Sequence, residues 1–182
     1  MAEPEYMDVC IDRQPYTFVA VDGLTQVWHA PERQSMGVYL WCIDWRGSFL
    51  VNYVGKTSGQ SGFEGRLWSE LKDWRAGRYC TPVDVDAFKR GTRIELPPGA
   101  GDHERELREL EPLYRILLAP VKDPALCTQL ESAFVNALRS HEFAFQFLCN
   151  RDKRTKYRPK PSPIVRILDA PPIVGISAGT DS

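Results

Sequence analysis

The spacing of apolar positions changes several times along this chain, and each change marks an element. Residues 36–45 are crowded with β-formers, among them Val38, Tyr39, Leu40, Trp41 and Ile43. Arg46-Gly47-Ser48 interrupts the run, and Phe49 to Val54 starts a second one. This predicts a β-hairpin with a short connection. Polarity does not alternate cleanly along either strand, which predicts a sheet covered on both faces. Upstream, Tyr16 to Val21 predicts a strand closed by Asp22-Gly23, a hairpin-type turn signal. A glycine-rich loop follows the hairpin over residues 55–62, and the period then turns helical over 63–76. Phe63, Leu67, Leu71 and Trp74 form one face of that helix, and Gly77 fits its end.

Residues 78–101 carry no clear period, and Pro97-Pro98-Gly99 marks a loop. Residues 102–111 predict a charged helix with a solvated face. Leu113 to Val121 is an apolar run short enough for a buried strand. Asp123-Pro124 then supplies an N-cap and a first-turn proline, and Leu126, Leu130, Phe134, Ala137 and Leu138 make the apolar stripe of a second long helix. The five prolines of 158–172 predict extended chain there. The order, hairpin, helix, strand, helix and extended tail, is that of a small α+β domain, a class that hosts many functions.

At 182 residues, 43% hydrophobic and 26% charged, the composition is that of an ordinary globular domain. It excludes a disordered chain, a collagen-like repeat and a coiled coil. No apolar run approaches the roughly 18–20 residues of a membrane span, and the acidic start Met1-Ala2-Glu3-Pro4-Glu5 reads as no secretory signal. The five cysteines are odd in number, lack a C-x-x-C pair and do not combine with the three histidines at zinc spacing. Reduced thiols and a cytoplasmic setting are expected. Charge changes the picture most. Residues 151–166 carry Arg151, Lys153, Arg154, Lys156, Arg158, Lys160 and Arg166 against Asp152, a balance of +6, so the rest of a chain of net charge −1 stands at −7. Such a block suits a phosphate-binding strip or a solvated tail.

Candidate chemistry lies along the hairpin and helices. Gly37-Val38-Tyr39 falls on the first hairpin strand and Tyr53-Val54-Gly55 ends the second. Lys56 follows, Arg66 sits in the first turn of the next helix, Glu131 lies in the later helix, and Asn150 stands beyond it. In order and in type of element this set resembles the GIY-YIG nuclease family over roughly residues 36–151. The resemblance implies a small central antiparallel sheet of about three strands flanked by helices, and metal-dependent hydrolysis of phosphodiesters. It divides the chain into an extension (1–35), a nuclease domain (36–151) with an insertion around 78–112, and a basic, proline-rich tail (152–182).

Phosphodiester hydrolysis needs a deprotonated water, stabilised charge on the non-bridging oxygens, and help for the leaving oxygen. One carboxylate with waters and substrate phosphate is a usual Mg²⁺ arrangement, and Glu131 is the expected ligand for Mg²⁺ or Mn²⁺. Arg66 is planar and permanently charged, suited to clamp phosphate. The family gives water activation to one of the two tyrosines. Tyr39 is expected to take that role and Tyr53 to orient, with Lys56, across a turn from Tyr53, favouring phenolate. Asn150 is expected to fix the site, contact phosphate or simply end a helix. Arg151, Lys153, Arg154, Lys156 and Arg158 are the expected nucleic-acid contacts. DNA is the expected partner, branched and single-stranded forms included, with a homodimer as one route to double-strand cutting.

Three features depart from the family pattern. The chain between Tyr39 and Tyr53 is slightly long, which predicts a longer hairpin turn. Glu70 stands where some members carry histidine, which argues against a histidine-based proton transfer and brings a second negative charge toward the metal. The segment 78–121 is long for its place. Two other functions fit less of the sequence: a binding module on the same fold without catalysis, and an unrelated interaction domain using Trp28, Trp41, Trp45, Trp68 and Trp74 as a protein-binding surface.

Overall fold

Strands that are apolar on both faces need cover on both sides, and the chain supplies it with two sets of helices. The computed structural model describes residues 6–11, 14–78, 81–97, 99–152, 165–168 and 172–176. The strands are β1 (Tyr6–Ile11), β2 (Gln14–Asp22), β3 (Gly37–Trp45), β4 (Ser48–Thr57), β5 (Tyr114–Pro120) and β6 (Val165–Leu168). They form one antiparallel sheet in the order β4-β3-β5-β2-β1-β6. The class is α+β, as expected, but the sheet exceeds three strands. Strands β4-β3-β5-β2 carry the packed core, and β1 and β6 widen it. Ahead of residue 36 the chain thus contributes β1 and β2 to the same sheet, since β2 pairs with β1 and with β5.

The helices are α1 (Gly62–Arg75), α2 (Val85–Lys89), α3 (His103–Leu110), α4 (Pro124–Arg139) and α5 (Glu142–Phe147). One face of the sheet packs Tyr39, Trp41, Tyr53, Ile116 and Leu118 against Leu67, Leu71 and Trp74 of α1 and Phe88 of α2. The other packs Val38, Leu40, Val51, Val54 and Leu117 against Leu130, Phe134 and Leu138 of α4. Each long helix lies where its stripe predicts. Asp123 caps α4 by accepting from the Ala125 N–H at 2.8 Å. Gly77, at φ 68°, follows α1, and its N–H donates to the Trp74 carbonyl. The inserted segment is not an external loop, because Val83, Val85 and Phe88 are buried on the α1 side.

Two turns differ from expectation. Asp22-Gly23 does not close a hairpin; it leads into a 3-10 helix, Leu24–His29, and the Gly23 N–H donates to the Tyr114 carbonyl. The β3–β4 hairpin turns in two residues, Arg46 and Gly47, both at positive φ, which is the short connection its apolar pattern predicts and not the longer turn inferred from the spacing of the tyrosines. Its extra length is in the strands. Trp41 faces Tyr53 while Cys42 faces Val51, so Asn52 is the additional residue of a β-bulge. Asn52 is buried and satisfied, accepting from the Tyr114 hydroxyl and donating to the Phe147 carbonyl, both at 3.0 Å.

β4 is an edge strand, and most of that edge is covered. The Phe49 N–H donates to the Pro172 carbonyl, the Val174 N–H donates to the Phe49 carbonyl, and Asn150 pairs with Val54. The far end of β4, where the tyrosine-glycine motif lies, opens onto a cleft.

Candidate active site

The cleft has a volume of about 490 Å³ and is walled by Tyr53, Lys56, Arg66, Ser69 and Glu131 together with the loop Ser58–Ser61. β4 runs through Thr57, so Lys56 belongs to a strand and not to a turn. Side chains on a strand alternate. Tyr53 therefore faces α1, and Lys56 faces α4. The two side chains thus leave the strand on opposite faces, where the expectation set the lysine beside the phenol. The Lys56 ammonium instead lies 3.2 Å from Glu131 Oε2 and donates to Thr128 Oγ1 at 2.8 Å.

On the α1 face the two tyrosines and Arg66 converge on one carboxylate. The Tyr39 hydroxyl donates to Glu70 Oε1 at 2.5 Å, and the Tyr53 hydroxyl reaches the same oxygen at 3.4 Å. Arg66 donates from Nε to the Tyr39 hydroxyl at 3.2 Å, and its Nη2 lies 2.8 Å from Glu70 Oε1. Two glycines allow this approach. Tyr39 lies opposite Gly55, and a Cβ at position 55 would sit 2.6 Å from Tyr39 Cε2 and closer still to Cζ and the hydroxyl. Gly37 permits β3 to close on β5, since a Cβ there would fall 2.8 Å from Phe63 Cζ and nearer yet to the Ala119 carbonyl.

Burial divides these residues by role. Tyr39 is 0% exposed and Glu70 2%, whereas the Arg66 side chain is 44% exposed at the cleft wall. Burial first, then Glu70 and Tyr53, push the Tyr39 phenol well above its ordinary value. Tyr39 is thus a poor phenolate, and the water-activating role expected of it does not suit its place. Tyr53 is the phenol on the cleft. Partial burial pulls the Arg66 guanidinium down, but Tyr39 and Glu70 beside it more than reverse this and hold it above its ordinary value.

No family model, curated protein or solved structure matches this chain. What can be said of the site rests on its own residues.

Five of the six expected site residues meet at this end of β4. The sixth, Asn150, is 2% exposed and accepts from the Val54 N–H and donates to the Val54 carbonyl, both at 2.8 Å. It fixes the strand that carries Tyr53 and does not reach the cleft. Arg151 lies in a 3-10 helix, Cys149–Asp152. Lys153, Arg154, Lys156 and Arg158 lie outside the described residues. The tryptophans form no single surface: Trp41 and Trp74 are in the core, while Trp68 is 54% exposed. Glu70 is the residue that sequence reasoning left out of the site. Its signal was a charge at helical spacing within the buried stripe of Leu67, Leu71 and Trp74. It is buried, pairs with Arg66 and is not among the residues that wall the cleft with Glu131.

The donor set at the cleft fits a hard divalent cation. Glu131 offers a half-buried carboxylate on the wall, and Ser58 and Ser61 line the same cleft. Among the described residues no group of three or more His, Cys, Asp or Glu forms a cage. A single carboxylate leaves coordination positions for water and phosphate.

Proposed function

We propose that this protein is a divalent-metal-dependent endonuclease of the GIY-YIG type that hydrolyses DNA phosphodiester bonds. The observation that carries the reading is the meeting of Tyr53, Lys56, Arg66 and Glu131 around a cleft of about 490 Å³ at the end of an edge strand, with Tyr39 buried behind Arg66. A Mg²⁺ or Mn²⁺ ion held by Glu131 would supply charge stabilisation and leaving-group help. Arg66 keeps part of its guanidinium toward the cleft and clamps a non-bridging phosphate oxygen. Tyr53 presents its hydroxyl to the attacking water. Tyr39 holds Arg66 and shares its acceptor. Lys56 draws Glu131 into place across the strand edge. The basic segment beginning at Arg151 adds phosphate contacts by its charge.

The test is supercoiled plasmid incubated with Mg²⁺, with Mn²⁺ and with EDTA, beside Glu131→Gln. Metal-dependent nicking that the variant loses is the expected result. Branched and single-stranded DNA complete the substrate set, and no cutting of any of them refutes the nuclease. A second reading, a nucleic-acid-binding module without hydrolysis, draws on the Lys56–Glu131 pair, which gives the carboxylate a lysine partner. Binding without cutting at any metal concentration would select it.

A further inference from the structure

We propose that Glu70 is the proton acceptor of this site, acting through Tyr53. The inference rests on the nuclease reading and adds to it a residue that touches no substrate atom. Glu70 Oε1 is where four polar atoms meet: the hydroxyls of Tyr39 and Tyr53, the Arg66 Nη2, and the carboxylate oxygen itself. Tyr39 reaches that oxygen from β3, Tyr53 from β4 and Arg66 from the same helix as Glu70. Arg33, on a short 3-10 helix packed against α1, turns to Glu64 instead.

A free phenol has a pKa near 10, so a tyrosine alone is almost wholly protonated at neutral pH (about one part in a thousand ionised). A carboxylate behind the phenol removes that obstacle, because free phenolate never has to form. As the cleft water attacks phosphorus, its O–H bond breaks and the proton goes to the Tyr53 oxygen. The Tyr53 hydroxyl proton passes to Glu70 Oε1. The new P–O bond forms as the bond to the leaving sugar oxygen breaks, and that oxygen takes a proton from solvent. Glu70 then returns its proton to solvent, which leaves the overall sum water plus diester giving monoester plus alcohol. The 3.4 Å between the Tyr53 hydroxyl and Glu70 is long for such a transfer, and hydrogen bonds of this kind tighten in the substrate complex. Arg66 couples the two events. It is paired with Glu70, and a phosphate that draws the guanidinium toward the cleft takes positive charge away from the carboxylate that is to receive the proton.

The experiment follows the pH dependence of plasmid cleavage in wild type, Glu70→Gln and Glu70→Asp. A phenolate-absorbance titration of the same proteins without metal accompanies it. Wild type is expected to gain activity through the carboxylate range and then level off. Glu70→Gln is expected to lose about a hundredfold or more at neutral pH, the usual scale of general-base catalysis, and to climb toward the phenol range. Glu70→Asp keeps the wild-type shape at lower rate, and serves if the amide variant fails to fold. In the metal-free titration a buried phenol ionises at lower pH once Glu70 is neutral. Parallel profiles in wild type and Glu70→Gln overturn the proposal alone. A wild type that cuts no DNA while its phenol titration still shifts overturns the nuclease reading, and the proton-acceptor role with it.

Discussion

Replacing Gly55 with alanine tests the geometry of the site without assuming any activity. Position 55 is extended and not at positive φ, so alanine carries no backbone strain there. Its cost comes from Tyr39. A Cβ at 2.6 Å from Tyr39 Cε2, and nearer to Cζ, must open toward the roughly 3.5–4.0 Å of carbon contact, a ring displacement of about 1 Å. Tyr39 is fully buried between Phe63, Tyr53 and Gly55, so the ring has no free space to take up. Overpacking of this kind costs about 1–3 kcal/mol. The same displacement pulls the hydroxyl from Glu70, and a hydrogen bond to a charged acceptor is worth about 1.5–3 kcal/mol. Against this, alanine stiffens the unfolded chain by about 0.4–1 kcal/mol. The net loss expected is about 2–5 kcal/mol, or about 5–15 °C in Tm for a chain of this size. Urea unfolding of Gly55→Ala, Tyr39→Ala and the double variant reads it as a coupling energy. In the Tyr39→Ala background the alanine at 55 should be neutral or slightly stabilising. An equal cost in both backgrounds would refute the account, because the loss would not arise from the tyrosine.

Two further predictions concern stability. Asn150→Ala should cost about 2–5 kcal/mol by urea unfolding, since it strips partners from the buried Val54 N–H and carbonyl at once; a loss below about 1 kcal/mol would show that water replaces the amide. Glu106 is buried under Trp74, whose indole N–H donates to it at 3.4 Å, and burial raises its pKa despite that bond and the nearby His103 and Arg93. A carboxyl raised in the folded state favours folding while it is protonated, and that stability is lost as pH rises through the folded pKa. Glu106→Gln keeps the acceptor for Trp74 and should therefore be more stable than wild type at neutral pH, the advantage vanishing in acid. A variant no more stable at neutral pH, by thermal denaturation across a pH series, would contradict this.

What the sequence disclosed depended on how local the cause was. α1 and α4 were legible because each carries a stripe, a start signal or a stop within its own residues. β3, β4 and β5 were legible as apolar runs. β6 was not, because its partner is β1 at the other end of the chain and a proline-rich segment gives no local sign of it. Asp22-Gly23 carries the chemistry of a hairpin turn, yet the chain beyond it coils into a 3-10 helix that buries Leu24 and Val27. In the site, Arg66 and Glu131 fell where helical spacing put them. The face of Lys56 was missed because β4 runs longer than its apolar pattern, and only strand geometry turns the lysine toward Glu131. Glu70 was visible as a charge within a buried stripe, but its partners come from two strands far away in sequence.

The extra residue at Asn52 has a consequence for which lengths of this hairpin can work. A strand reads its positions as odd or even, and a single insertion reverses that parity for everything beyond it. The bulge at Asn52 cancels one such reversal between the tight turn and the tyrosine. It puts Gly55 opposite Tyr39 and Tyr53 on the same face as that ring. Deleting Asn52 alone would leave an unbroken ladder with the same partners, Tyr53 against Trp41 and Gly55 against Tyr39, and would remove only the buried amide and its two hydrogen bonds. The length of the segment between the two tyrosines is therefore not fixed to the residue: a bulge takes up one extra position while the proton-bearing and the cation-bearing faces of the strand keep their sides, and the hairpin gains a buried amide that ties it to Tyr114 and Phe147.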